Sequence, residues 1–219
     1  MTTLTVHNDF DFEAEMDAMY HHYTTTPHLN YYTKSKDFHA AIAISEGGIS
    51  SDVEDYDPNQ GMAPLPADAE AATDGFKQSS YSFTQGQNKY LSQNSGQYKE
   101  ALGQSQSDED KNNAKWNFDQ AMSAGETQAK QQADSNIHAY YQKMKAAGSG
   151  KSKAEQMKIA HTAGGVANFF TKGVLGKIMG IVGTLVSDIV KIVDQVFEFI
   201  KNAFEDVIGG IEDFFKSIF

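Results

Sequence analysis

The sequence contains no cysteine and no arginine among its 219 residues. Without cysteine, the chain has no disulfide framework, no thiolate metal ligand and no cysteine nucleophile. All 18 basic side chains are lysines, so the planar guanidinium group that binds phosphates and base edges with two hydrogen bonds is absent. The net charge is −11. Together these features argue against nucleic acid as a partner.

Proline is also scarce, and no residue after Pro66 lacks its backbone N–H. A long stretch without proline is what long helices require. Acidic side chains are concentrated at the N-terminus, because residues 1–75 carry 14 acids and 2 lysines, whereas the net charge is +3 over residues 76–160 and −2 over residues 161–219. We therefore expect three segments with these boundaries.

The first segment predicts one short helix followed by irregular chain. Asp9 or Asp11 can cap a helix with acids in its first turns, and Thr24–Pro27 is expected to end it. Its apolar residues recur at helical spacing: Phe12, Met16, Met19 and Tyr20. Residues 46–74 are mainly Gly, Ser, Asp, Pro and Ala, a composition that predicts a linker. No basic region precedes an apolar run near the N-terminus, so no classical signal peptide is expected.

The middle segment predicts a polar helical arm. Ser107 is followed by three acids, a pattern typical of a helix start. Mostly small side chains then recur every three or four positions: Ala114, Phe118, Ala121, Gly125, Ala129, Ala133, Ile137, Tyr140 and Met144. So narrow a seam packs against one neighbouring helix and forms no globular core by itself. We expect a helical hairpin that ends near Ala147, or alternatively an intermolecular coiled coil.

The C-terminal segment has a broad apolar face. From Leu185 to Phe219 the polar residues recur about every 3.6 positions, the helical period. Nearly all of the remaining residues are Ile, Val, Leu or Phe. A surface helix of a globular protein shows an apolar face of roughly 100°, whereas this face covers more than half of the circumference. The pattern predicts one amphipathic helix that is enclosed on most sides, in a bundle, in an assembly or at a membrane interface.

Four glycines before that helix would share one helical face: Gly173, Gly176, Gly180 and Gly183. The Gly-x-x-x-Gly pair allows helices to approach closely in lipid, or alternatively the glycines only bend a buried helix. The surrounding apolar stretch is interrupted by Lys172 and Lys177. Each central lysine costs roughly 2.5–3.5 kcal/mol on insertion into a bilayer. We therefore predict a conditional membrane span and not a constitutive one.

Catalytic and metal-binding patterns are weak. Ala147–Ser152 resembles the end of a phosphate-binding loop, but Lys145 stands where the pattern needs glycine, and the preceding residues predict helix. His21, His22 and His28 are close in sequence, yet adjacent histidines on a helix point about 100° apart. No Gly-x-Ser-x-Gly, His-Glu-x-x-His or EF-hand pattern occurs. We expect no enzyme activity, no cofactor, no metal ion and no small-molecule substrate.

The predicted fold is all-α, with long polar helical arms, a C-terminal amphipathic helix and a largely irregular acidic N-terminal segment. This layout is similar in outline to that of type III secretion translocators, α-helical pore formers and phage membrane-penetration proteins, although no motif is shared. The first hypothesis is a non-enzymatic exported or particle-associated protein whose C-terminal helix binds or inserts into a lipid membrane. The alternative is a structural subunit of a filament, virion or appendage. Both hypotheses predict a homo-oligomer.

Two sets of residues are assigned to this function. The first set is predicted to contact lipid or to pack helices, and consists of Gly173, Gly176, Gly180, Gly183, Ile189, Val193, Phe197, Ile200, Phe204, Phe214 and Phe215. The second set lines the polar stripe and is predicted to sense low pH, because protonated carboxyl groups are cheaper to insert. It consists of Asp188, Asp194, Glu198, Glu205 and Asp206.

Overall fold

The computed structural model describes residues 11–25 and 64–218. Among these residues 92% are helical and none forms a strand, which confirms the all-α fold. The helices are α1 (Phe12–Thr25), α2 (Ala67–Gln104), α3 (Asp108–Gly148), α4 (Lys153–Asn168), α5 (Gly176–Ile192) and α6 (Val196–Ile218). A π-helical segment, Phe169–Leu175, joins α4 to α5.

The predicted helix caps are confirmed. At the start of α1, the N–H of Ala14 donates to the carboxylate of Asp11 at 3.1 Å. At the start of α3, the N–H of Asp110 donates to the hydroxyl of Ser107 at 3.1 Å, and the N–H of Ser107 donates back to the Asp110 carboxylate at 3.0 Å. Each contact satisfies a backbone donor that has no partner inside the helix.

The Gly148–Ser152 stretch connects two helices. Helix α3 ends at Gly148, one residue beyond the predicted end. Gly150 has a φ of 71°, in the left-handed region that favours glycine. Ser152 and Glu155 then form a reciprocal cap at the start of α4. The local sequence is thus explained by a tight connection between α3 and α4.

The linker prediction is wrong for its last residues, because α2 begins at Ala67. The carbonyl of Pro66 accepts hydrogen bonds from the N–H groups of Ala69 and Glu70, each at 2.9 Å. Alanine has the highest helix propensity, and its small side chain can be buried where helices lie close together, as Ala69 is here. A lack of large apolar residues was therefore a poor sign of irregular chain. Residues 46–63 of the predicted linker lie outside the described part.

Contacts divide the described chain into two compact units. The first contains α1, the part of α2 up to Phe76, the part of α3 from Asn136, and the chain onward to Phe169. The second contains the remainder of α2 and α3, together with the chain from Phe170, which includes α5 and α6.

The first unit has an aromatic contact between α2 and α3. The rings of Phe76 and Tyr140 lie 4.6 Å apart, and the hydroxyl of Tyr140 lies 3.2 Å from that of Thr73. Burial raises the pKa of Tyr140, against the opposing effect of the hydrogen bond with Thr73. The hydroxyl therefore stays neutral at ordinary pH, and its polar atom has a partner inside the core.

In the second unit α2 also packs on α3. The rings of Tyr98 and Phe118 lie 5.1 Å apart, and the hydroxyl of Tyr90 donates to the carbonyl of Ala121 at 2.7 Å. A Cβ atom at Gly125 would overlap the Tyr90 ring, so glycine is the residue that lets this ring lie against the α3 backbone.

The predicted seam of α3 is confirmed with four additions. All its members are buried except Ala121, which is half-buried. The additional buried residues of α3 are Met122, Tyr141, Ala147 and Gly148. The contacts of α3 with α2 described above lie within one chain. The seam thus forms the predicted helical hairpin, and no intermolecular coiled coil is needed to cover it.

Candidate functional site

The C-terminal apolar segment is two helices, so the prediction of one continuous helix is wrong. A turn at residues 193–195 separates α5 from α6. The N–H of Gln195 donates to the carbonyl of Ile192 at 2.9 Å within this turn. Val193 keeps helical φ and ψ values of −52° and −34°. Because the backbone stays helical through Val193, the apolar period passes the turn almost unchanged and does not reveal it.

Helix α6 returns along α5 and forms a hairpin with it. A Cβ atom at Gly210 would lie 3.7 Å from the Nζ of Lys177. Lys177 and Gly210 are separated from the turn at residues 193–195 by a similar number of residues. This is the pairing expected for two antiparallel helices. We call α5, the turn and α6 the C-terminal hairpin.

Most of the apolar face predicted to be functional is buried inside the second unit. Ile189, Ile200, Phe204 and Phe215 are buried, whereas Val193 and Phe214 are half-buried. The buried residues of α6 form one line at steps of three or four: Val196, Ile200, Phe204, Val207, Ile211 and Phe215. The chain itself therefore covers this line. Phe197 is the exception, with 48% of its surface exposed.

The C-terminal hairpin also lies against α2. The Nζ of Lys99 is 3.5 Å from a carboxylate oxygen of Asp194, and the Nζ of Lys77 lies 6.0 Å from the centre of the Phe215 ring. The pairs occur in opposite order along the two helices, so α2 and α6 are antiparallel. Burial and, less strongly, the Glu212 carboxylate raise the pKa of Tyr81, which lies on α2 between these contacts.

The buried face of α2 is unusually polar in the second unit. Its members include Ser80, Thr84, Gln87 and Ser95. Thr84 donates to the carbonyl of Ser80 in its own helix at 2.8 Å, so this hydrogen bond ties α2 to no other helix. The hydroxyl of Ser95 is buried without a hydrogen-bond partner among the described residues. A buried polar group without a partner costs about 1–3 kcal/mol, which weakens the packing of the bundle.

The glycine face of α5 is open. Among the residues that the structure describes, a Cβ atom at Gly180 or Gly183 would meet no atom within 4 Å, and one at Gly176 would meet only the backbone oxygen of Thr171 at 3.4 Å. Gly173 is half-buried and lies in the π-helical segment. Val190 lies seven residues beyond Gly183 on the same face, with 63% of its surface exposed. This face therefore packs against no helix in the described part of the chain.

The predicted acidic stripe lies on the outside of the C-terminal hairpin. Asp194, Glu198, Glu205 and Asp206 are exposed, and Asp188 is half-buried. Asp188 accepts a hydrogen bond from Lys191 at 2.6 Å. The structure does not gather these carboxylates into one cluster. Protonation would therefore remove charge along the surface of the hairpin without changing its buried side.

No group of three or more histidine, aspartate or glutamate residues is placed to hold a metal ion in the described part of the chain. His21 is exposed, and the ring of His22 packs edge-on against Tyr23 at 5.1 Å. His28 lies outside the described residues.

One helical stretch, Lys153–Ile192, is long and apolar enough to cross a bilayer. Its 40 residues are twice the ~20 that a helix needs to cross a hydrocarbon core. It contains α4, the π-helical segment and α5. Only 33% of its most apolar 18-residue window is buried in the protein, so much of this window is available for contact with another apolar phase.

No family model, no curated protein and no solved structure matches this chain. The membrane-length helix, the C-terminal hairpin and the open glycine face are therefore the features from which a function is inferred.

Proposed function

We propose that this chain is a non-enzymatic helical protein, exported or part of a particle, that binds or inserts into a lipid membrane through its C-terminal hairpin. The observation that carries the proposal is the length and apolarity of Lys153–Ile192, which continues into a second helix with a line of large apolar residues. Such residues gain about 25 cal/mol for each Å² moved from water into an apolar phase.

The proposed mechanism is the separation of the C-terminal hairpin from α2. In the closed form the apolar line of α6 is buried, which keeps it from water. On a membrane the hairpin would separate from α2 and place this line in the lipid interface. The polar residues on the buried face of α2, among them Ser95 with no hydrogen-bond partner in the described ranges, lower the cost of that separation because fewer apolar contacts are lost.

The lysines of the membrane-length helix explain why insertion would be conditional. Lys172 and Lys177 are both exposed in the closed form. Their combined insertion cost of roughly 5–7 kcal/mol offsets much of the gain from α5 alone. The apolar line of α6 supplies the additional gain, but only after the hairpin has left α2.

A cross-link tests this mechanism, and the absence of native cysteine makes the labelling specific. Lys99→Cys combined with Asp194→Cys places two thiols where the native side chains meet at 3.5 Å. A short bismaleimide should join α2 to the hairpin turn. We expect the parent and the unlinked double variant to float with phosphatidylcholine vesicles in a density gradient. The linked protein should float at least tenfold less, because its hairpin cannot leave α2.

Flotation that is equal for the linked and unlinked forms would contradict the opening step. If neither the parent nor any variant floats, membrane binding by this chain is wrong. Light scattering after size-exclusion chromatography of the same samples gives the molecular mass. A large parent oligomer without flotation would favour the second candidate function.

The second candidate is a self-assembling structural subunit. The open glycine face and the exposed Val190 favour it, since such a flat surface permits close approach of a helix from another copy. Gly180→Leu is expected to leave the monomer folded, because no atom lies within 4 Å of a new Cβ and leucine is the better helix former. If this face joins subunits, the variant should lower the mass measured by light scattering to that of a monomer.

Gly103→Leu is the matched control for that variant. Gly103 also lies on a helix with no atom within 4 Å of a new Cβ, but it is on α2 and away from the glycine face. A loss of assembly in both variants would show a general effect of leucine. An unchanged mass in Gly180→Leu would contradict assembly through this face.

A further inference from the structure

Helix α1 buries one face in the first unit. Phe12, Met16, Met19 and Tyr23 are buried at steps of four, three and four, and Ala18 on the other side is exposed. The Phe12 ring lies over Gly148, where a Cβ atom would overlap it. The ring of Tyr20 packs against that of His138 at 4.9 Å. Helix α1 is therefore antiparallel to the end of α3 and fits it closely.

Helix α1 also lies directly against α4. Four of the eight buried residues of α4 are alanine or glycine: Ala160, Ala163, Gly164 and Ala167. Small side chains let helix backbones approach closely, as they do between helices in lipid. Since α4 is the first part of the membrane-length helix Lys153–Ile192, α1 covers part of its apolar surface.

The polar contacts of α1 with α3 are ion pairs near the surface, which water can replace. Lys145 pairs with Glu13 at 2.8 Å and with Asp17 at 2.9 Å. The hydrogen bonds with these two carboxylates raise the pKa of Lys145, and the bond with Glu13 has the larger effect. More than half of each carboxylate side chain is exposed, so water can hydrate both when α1 leaves. A helix of 14 residues is marginal by itself, and α1 therefore depends on its contacts with the first unit.

We infer that α1 is a releasable cover that occupies the apolar surface of α4, and that its release increases binding of the chain to a lipid bilayer. The inference rests on the proposed membrane function. It adds that the N-terminal acidic segment controls this function through α1. The large apolar residues of α1, its close fit to the end of α3, its contact with α4 and the exposed ion pairs support a contact that is specific and reversible.

Two neighbouring substitutions test the cover. Met19→Asp places a carboxylate on the buried face of α1, whereas Ala18→Asp places the same charge on the exposed face. Hydrogen–deuterium exchange reports whether residues 12–25 lose protection, and flotation with phosphatidylcholine vesicles reports binding. We expect loss of protection and at least a tenfold higher bound fraction at limiting lipid for Met19→Asp. Ala18→Asp should behave as the parent does.

Gly148→Leu releases α1 by a different route, since the new side chain would occupy the place of the Phe12 ring. A reverse test joins α1 to α3 through Asp17→Cys, Lys145→Cys and a short bismaleimide. The linked protein should bind vesicles less than its unlinked form. Opposite effects of release and linkage separate the cover from a general loss of folding, which would raise binding in the release variants alone.

Three results would overturn the cover. Protection of residues 12–25 could persist in both release variants, or binding could stay at the parent level after protection is lost, or linkage could leave binding unchanged. In each of these cases the proposed membrane function still holds if the parent floats and the link between residues 99 and 194 blocks flotation. Only the cover is then wrong. If the parent and all variants stay unbound, both the proposed function and the cover fail.

Discussion

Phe204→Ala is expected to lower the free energy of unfolding by about 3–5 kcal/mol, the range for removing a large aromatic side chain from a packed core. Phe204 lies in the buried line of α6 with 1% of its surface exposed. The bundle around it cannot close the space fully, because its neighbours belong to rigid helices. Urea denaturation followed by circular dichroism measures the change.

Phe197→Ala is the matched control on the same helix. Its side chain is largely exposed and reaches the backbone of α2 near Gly96, where a Cβ atom would lie 3.5 Å from the ring. We expect a change below about 1 kcal/mol, as for most surface positions. Equal destabilisation by the two variants would contradict the packing of α6 described above.

The same pair of variants separates opening of the bundle from simple adsorption of an apolar helix. If adsorption of a preformed face were enough, each substitution would weaken vesicle binding in proportion to the apolar area lost. If the hairpin must leave α2 first, Phe204→Ala should increase binding at limiting lipid, because the closed form loses more stability than the bound form. Phe197→Ala should weaken it.

The period of the sequence predicted the helices and most of the seam in α3, because buried positions on a helix repeat every three or four residues whatever covers them. It could not show what does the covering. The apolar face from Leu185 to Phe219 was compatible with lipid, with other subunits or with a bundle. The buried face of α2 in the second unit mixes apolar residues such as Phe83 and Leu91 with polar ones such as Ser80 and Ser95, and the polar members carry no apolar signal.

The glycine face also shows that periodicity does not reveal what a helix face contacts, and here the face is exposed. Regular spacing placed Gly176, Gly180 and Gly183 on one face correctly, but spacing alone does not distinguish a packed face from an open one. The turn at residues 193–195 was hidden for a related reason, since it contains neither glycine nor proline and keeps the helical period. The contact of Phe12 with Gly148 joins distant parts of the sequence, and no local pattern connects them.

Ile189→Asp and Val190→Asp are expected to have very different effects although they are neighbours. Ile189 is fully buried in α5, whereas Val190 is 63% exposed. An aspartate at position 189 would lose its hydration without gaining a partner, or would take up a proton, and either change is costly. We expect Ile189→Asp to lower the free energy of unfolding by about 4 kcal/mol or more, and Val190→Asp to change it by less than about 0.5 kcal/mol. Denaturation curves of both variants test this difference.

Val190→Asp then becomes the sharper test of function, because the protein keeps its fold. A charge on the open face should reduce vesicle flotation if this face enters the lipid interface, since a carboxylate is costly to move out of water. If the face joins subunits instead, the same charge should leave flotation unchanged and reduce the mass measured by light scattering. Val190→Asn controls for the loss of the apolar side chain without the charge. Unchanged flotation and mass in both variants would exclude this face from either function and leave the buried line of α6 as the membrane-binding element.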